Sequence, residues 1–177
     1  MKKKMDNIMV DIETLGNKSN SVILSIAAVY FDLQTGKTGK EFTTNIDIQS
    51  CLDAGLKIDA DTVKWWLSQN EQARDKILCN DAPLLIAGLK NFGRFLNSDA
   101  FVWGNSARFD LGILENAYQA FNINIPWKWH REMDVRTLAL LYPKTKSSID
   151  FIGLKHYPID DCKHQIKYLC EIYNQLN

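Results

Sequence analysis

Asn7 to Gly16 reads NIMVDIETLG, a short apolar run with carboxylates at two alternate positions, Asp11 and Glu13. In a β-strand alternate side chains leave the same face, so both carboxylates point the same way. Two negative charges side by side on a mostly apolar strand are costly unless a cation or hydrogen-bond donors compensate them. A hard divalent metal ion is the simplest compensation. Taken alone, D-x-E also describes an edge strand whose acidic face is solvated, and two later stretches bear on that choice.

At 177 residues the chain is of single-domain length and large enough to bury most of its apolar surface without staples. Hydrophobic residues at 46% and charged residues at 24% fit an ordinary globular protein. Basic and acidic residues number 21 each, a formal net charge of +0. That argues against coating long nucleic acid by charge alone, but not against gripping one strand end through metal ions. Cys51, Cys79, Cys162 and Cys170 form no C-x-x-C pair and no zinc-ligand spacing. Cys162 and Cys170 fall in one expected helix, roughly 12 Å apart along its axis and too far for a disulfide. All four read as reduced thiols of a cytoplasmic protein. MKKKMDN at the start lacks a following apolar segment, and no run approaches membrane length, so neither a signal peptide nor a membrane span is expected. Residues 1–6, with their three lysines, read as a flexible, solvated end.

In chain order, Ile8 to Ile12 is the first strand. Ser21 to Leu33 is too β-rich and too uniformly apolar for an amphipathic surface helix, and reads as a long central strand. Turn residues Gln34 to Lys37 lead into a hairpin partner at Lys40 to Ile46, completing a three-strand meander. Residues 47–58 look irregular. A helix follows from Asp59, with Val63, Trp66 and Leu67 on one face and Asp59 or Asp61 as cap, then a short helix over Glu71 to Leu78. Asp81 and Pro83 signal the next helix, whose buried stripe is Leu85, Leu89, Phe92 and Leu96. Ala100 to Trp103 is a short strand, and Asp110 to Phe121 a helix. Met133 to Tyr142 is a helix or strand-helix unit stopped by Pro143, and a final amphipathic helix follows Pro158. A meander followed by alternating short strands and helices points to a mixed α/β sheet with helices on both faces.

The second stretch, Phe101 to Leu114, places Asp110 where a helix starts after a strand end, which is where open α/β sheets put their sites. By itself Asp110 reads as a helix cap rather than a site residue. The third stretch, Lys155 to Lys163, sets His156 in a loop and Asp161 in the first turn of the last helix. By itself Asp160-Asp161 answers the helix dipole. The ordered set of Asp11-x-Glu13, Phe109-Asp110 and His156-x-x-x-x-Asp161 resembles the DEDDh-type 3'-5' exonucleases of the ribonuclease H-like superfamily. Within them the chain is most similar to the small branch that includes phage exonuclease A and mycobacterial exoribonucleases. WWLSQNEQAR (Trp65 to Arg74), VWGNSARFD (Val102 to Asp110) and MDVRTLALLYP (Met133 to Pro143) carry that likeness, which spans about residues 7–173. Two departures stand out. Many relatives have a His-Asn pair where this chain has Gly104-Asn105 with one extra residue, as the small branch does. Tyr157-Pro158 replaces small polar residues after the histidine, and the proline constrains that loop.

The resemblance implies a single exonuclease domain over residues 1–177, with a three-strand antiparallel meander plus short parallel strands. It implies that Asp11, Glu13, Asp110 and Asp161 bind two Mg²⁺ or Mn²⁺ ions, which in such sites lie about 3.5–4 Å apart and clamp attacking and leaving oxygens. Asp11 is the candidate to bridge both. His156, with an unperturbed pKa of about 6.5, takes the proton of the attacking water. Thr14, Leu15 and Gly16 are expected at the terminal nucleotide. Trp65 and Trp66 diverge by about 100° on their helix, so one is core and one a stacking surface for a base; Trp66 is assigned to substrate. Asn105, Arg108 and Phe109 adjoin Asp110, with Arg108 reaching a phosphate. The expected partner is a single-stranded 3' end, DNA and RNA being undistinguished because no residue type reveals how a 2'-hydroxyl is treated. A homodimer is left open. The alternatives are a ribonuclease H-type endonuclease and a non-catalytic nucleic-acid-binding module, the latter expected to lack one or more of the five groups.

Overall fold

A computed structural model describes residues 5–79 and 81–176. Residues 1–4 of the terminal segment lie outside the described residues. Met5 packs against the larger core, and the Asp6 carbonyl accepts the Phe101 amide at 2.7 Å, so the chain is tied down from there.

Strand β1 (Asn7–Thr14) is the centre of a five-stranded sheet. It pairs antiparallel with β2 (Ile23–Phe31) on one side and parallel with β4 (Phe101–Gly104) on the other. Strand β3 (Thr38–Asn45) closes the meander outside β2, and β5 (Glu132–Asp134) lies parallel beyond β4, giving the order β3-β2-β1-β4-β5. Every residue of β2 is buried, because helices cover both sheet faces and leave no solvated side to impose alternation. The strand is nonetheless shorter than the 21–33 expected: Ser21 forms only an isolated bridge with Lys57.

Alternation along β1 divides the protein in two. Ile8, Val10 and Ile12 enter a core built with α4 (Leu85–Phe95) and α5 (Ala107–Ala120). Met9 faces the other side and joins a core with α6 (Val135–Leu141) and α8 (Pro158–Leu176). The carboxylates of Asp11 and Glu13 share that second face, beneath the start of α8. All four cysteines are free thiols, and no described helix is long and apolar enough to cross a membrane.

Several boundaries differ from expectation, each for a local reason. Residues 47–58 contain α1 (Ile48–Asp53), capped by Asp47, whose side chain accepts the Ser50 amide at 2.7 Å. Helix α2 (Ala60–Leu67) takes Asp59 as its cap, and α3 (Glu71–Ile77) takes Asn70. Helix α4 begins at Leu85, beyond Asp81 and Pro83, because its first amide is capped from outside: Ser50 Oγ accepts the Leu85 N–H at 2.9 Å while donating to the Asp47 carbonyl. The unit at Met133 resolves into β5 and then α6, joined at Asp134. One carboxylate oxygen of Asp134 caps α6 through the Thr137 amide, and the other accepts the Ala107 amide at the start of α5, both at 2.8 Å. Pro143 ends α6 by opening another helix, α7 (Pro143–Ser148).

Ser50 thus serves two elements at once. Replacing it with alanine should strand the Leu85 amide and cost about 1 kcal/mol, the usual loss of a cap, read as a lower urea midpoint at unchanged slope. An unchanged midpoint would mean that water replaces the hydroxyl without loss.

Candidate active site

The ends of β1 and β4 and the starts of α5 and α8 meet at one place. Asp11, Glu13 and Asp161 each bring a ligand oxygen there, all within 4.8 Å of one another. Asp110, only 2% exposed, borders the trio and accepts the Ile12 amide at 3.3 Å. It lies in the first turn of α5, three residues inside the helix rather than at its opening. The turn before it is tight: a Cβ on Gly104 would stand 3.1 Å from Asp110 Oδ2 and 3.2 Å from Ala107 Cα. Ser106 there adopts φ +89°.

Burial dominates the electrostatics. It pushes Asp11 well above the usual carboxylate range, Asp110 and Asp161 raise it further, and the Gln165 amide opposes them, donating to Asp11 Oδ1 at 2.6 Å. Glu13 is likewise well raised, by burial and then by Asp11, Asp161 and Asp110. Asp110 rises to about 7 through burial, against the Ile12 and Asn105 amides and the Arg136 charge. Asp161 rises to about 6, burial again leading, against a hydrogen bond from the His156 amide. Oδ2 of Asp110 and of Asp161 are buried without a hydrogen-bond partner. Converging, all-oxygen ligands with unsatisfied lone pairs fit a hard divalent cation.

The loop that carries His156, whose amide acts on Asp161, has an uncommon backbone. The turn Leu154–Tyr157 is closed by the Tyr157 amide on the Leu154 carbonyl at 3.2 Å, and its third residue, His156, has φ +65°. That region suits glycine or asparagine and costs other residues about 1 kcal/mol or more. The imidazole meets Trp65 edge to face at 4.9 Å between centroids and Trp66 at 6.3 Å. Burial, then the Lys155 charge, lower its pKa, which keeps it neutral and able to accept a proton at neutral pH.

The sequence model of the 3'-5' exoribonuclease Rv2179c-like domain matches residues 6–173. The chain belongs to this family. With it comes membership of the DEDDh-type 3'-5' exonucleases, which are enzymes. No curated protein matches the chain in sequence. Among solved structures, exonuclease X in complex with 5' overhanging duplex DNA is 17% identical at TM-score 0.63, covering 95% of this chain and 91% of that one. The nuclease domain of 3'hExo, a DEDDh family member bound to rAMP, is 14% identical at TM-score 0.66, covering 95% and 91%. E. coli exonuclease I in complex with a dT13 oligonucleotide is 15% identical at TM-score 0.61, covering 96% of this chain but 40% of that one. At these identities the likeness is one of fold.

The Rv2179c-like domain distributes the remaining candidates unevenly. Thr14, Leu15 and Gly16 form a bonded corner. Thr14 Oγ1 donates to the Gly16 carbonyl at 2.6 Å, and the Leu15 carbonyl accepts the Asp59 amide at 2.7 Å. Leu15 is turned into the larger core, so its expected contact with a nucleotide is corrected: the side chain is packing, not surface. Trp66 also needs correction as a stacking ring. It is 4% exposed, and its indole N–H holds the Thr14 carbonyl at 2.9 Å, so the exposed ring of the pair is Trp65, at 41%. Arg108 is exposed and Phe109 half-buried. Both line a cleft of about 600 Å³ beside Asp110, with Lys18, Ser106 and Arg136. Asn105 holds Arg136 by its carbonyl, at 2.8 Å. Sequence reasoning passed over Gln165, although its place four residues after Asp161 on one helix put it on the same face.

Two outcomes follow from this geometry. Carboxylates whose folded pKa is raised favour the folded state at low pH, and lose that contribution as pH rises from about 4 through the folded values, about 6 for Asp161 and about 7 for Asp110. The lowered pKa of His156 and His164 acts oppositely, with fewer groups. Metal-free protein should therefore melt lower at pH 8 than at pH 5.5. Mg²⁺ should raise the melting temperature more at pH 8, where the ligands have shed their protons; equal metal effects at both pH values would contradict a carboxylate site. Separately, His156→Gly should be more stable than His156→Ala by roughly 1 kcal/mol, because both lose the ring but only alanine keeps the cost of positive φ. Alanine being the more stable would show that the turn relaxes.

Proposed function

We propose that the chain is a metal-dependent 3'-5' exonuclease that hydrolyses the terminal phosphodiester of single-stranded DNA or RNA and releases nucleoside 5'-monophosphates. The observation that carries this reading is the convergence of Asp11, Glu13 and Asp161 beside buried Asp110, with carboxylate oxygens left without donors. Asp11, Glu13, Asp110 and Asp161 would hold two Mg²⁺ or Mn²⁺ ions. Asp11 is the candidate for a ligand shared by both ions. Cations in such a site neutralise charge on the phosphoryl and leaving oxygens and make water more acidic.

The protein's own groups account for orientation and proton transfer. His156 accepts a proton from the attacking water as its oxygen bonds to phosphorus. The bond from phosphorus to the 3' oxygen of the penultimate nucleotide breaks, and that oxygen leaves on the shortened strand and is protonated. Arg108 and Arg136 face the cleft beside Asp110 and suit phosphates, while Phe109 offers an apolar surface to a base. Exonuclease X is seen with DNA and 3'hExo with rAMP, so both sugars belong in the test.

Matched 5'-labelled DNA and RNA oligonucleotides, with Mg²⁺ and then Mn²⁺, should shorten stepwise from the 3' end and yield a mononucleotide first. Early internal cuts, or indifference to a blocked 3' end, would overturn the exonuclease reading in favour of an endonuclease. Asp11→Asn should lose metal binding by calorimetry together with turnover. His156→Ala should keep metal binding and slow single-turnover cleavage by roughly 10²–10⁴-fold.

A further inference from the structure

The two aspartates opening α8 do different things. Asp161 joins the carboxylate trio and takes the His156 amide. Asp160 is outside the trio. Its carboxylate reaches back six residues, where Oδ2 accepts the Leu154 amide at 2.9 Å. It also fills the space beside Gly153: a Cβ there would stand 2.6 Å from both Asp160 Cγ and Oδ2. Gly153 itself has φ +118°, a conformation glycine adopts without steric cost. The turn carrying His156 is therefore moulded on one side chain. An aspartate that only answered a helix dipole would face water; this one is half-buried against the loop it holds.

We propose that Asp160 is the positioning residue for His156, fixing through the Leu154 amide and the Gly153 contact the turn that seats the imidazole on Trp65 and sets the His156 amide against Asp161. The inference rests on the reading of His156 as proton acceptor. A residue in an unfavoured conformation stays there only while its surroundings hold it. Asp161 holds the amide of His156 itself; Asp160 holds the residue two before it. Without Asp160, the closing bond between Tyr157 and Leu154 has one end loose, and the turn can relax toward negative φ. The imidazole then swings off its edge-to-face seat on Trp65.

The test compares single-turnover cleavage, oligonucleotide affinity and Mg²⁺ affinity for the unmodified chain, Asp160→Ala, Asp160→Asn, Gly153→Ala, His156→Ala and the Asp160→Ala/His156→Ala double variant. Asp160→Ala should cleave about 10- to 100-fold more slowly, the scale of a small misplacement of a reacting group. Both affinities should stay within about twofold. Asp160→Asn keeps an acceptor oxygen and should recover most of the rate, whereas Gly153→Ala should lose it by crowding the same carboxylate. The double variant should be no slower than His156→Ala alone, because a group acting only through another adds nothing once that one is gone. Cleavage by Asp160→Ala at the unmodified rate while His156→Ala is slow overturns the positioning role and leaves the proton-acceptor reading intact. So does a double variant slowed by the product of the single effects, which would mean that Asp160 acts elsewhere, for instance on Asp161. Undiminished cleavage by His156→Ala overturns the proton-acceptor reading itself, and the positioning role with it.

Discussion

Burying negative charge at the end of a central strand is the constraint around which this molecule is built. Strand β1 is flanked by strands on both sides and covered by helices on both faces, so neither Asp11 nor Asp110 can shed its charge into solvent. Three of the four carboxylates instead have a donor: Gln165 for Asp11, the Ile12 amide for Asp110, the His156 amide for Asp161. The donors are too few for the lone pairs. Such groups cost a fold more than apolar ones of the same size, and their presence in a well-packed place is the usual mark of chemistry.

The frame that holds the carboxylates is shared rather than private to them. Asp134 ties the first amide of α5 to the cap of α6, so the helix bearing Asp110 and the helix bearing Arg136 start from one carboxylate. Trp66 holds the Thr14 carbonyl just past Glu13 and also faces the His156 ring. A side chain expected to meet a base is in this way a strut between β1 and the histidine loop. Positioning by rigid elements rather than loops favours the sub-ångström placement that proton transfer and metal ligation need.

Much of this was legible in the chain because it depends on periodicity. Alternate placement put Asp11 and Glu13 on one face, and of the stripe Leu85, Leu89, Phe92 and Leu96 the first three are buried, while Leu96 lies just past the helix end and is half-buried. The signals that failed were those whose cause is distant in sequence or hidden in the backbone. Helix α4 starts where Ser50 caps it, 35 residues away. Helix α5 starts three residues early, its first amide held by Asp134, 27 residues away, behind a Ser106 whose positive φ nothing in its residue type announces. Helical geometry showed that Trp65 and Trp66 face different ways, but which ring is buried depends on the Thr14 carbonyl and was misassigned. The Asp160–Leu154 contact was equally invisible, since a dipole argument accounts for two adjacent acids without requiring either to bond backward.

The hydrogen bond from Gln165 to Asp11 joins residues 154 apart, and the one from Ile12 to Asp110 joins residues 98 apart. Contacts of such separation form late, because the chain between them must first be brought together. During synthesis, a chain that has already made its meander and its α4 and α5 core carries Asp11, Glu13 and Asp110 but no Asp161, Gln165 or His156. At that stage the carboxylate cluster lacks one of its members. The cluster is therefore the last part of the molecule to be assembled, when α8 emerges and docks.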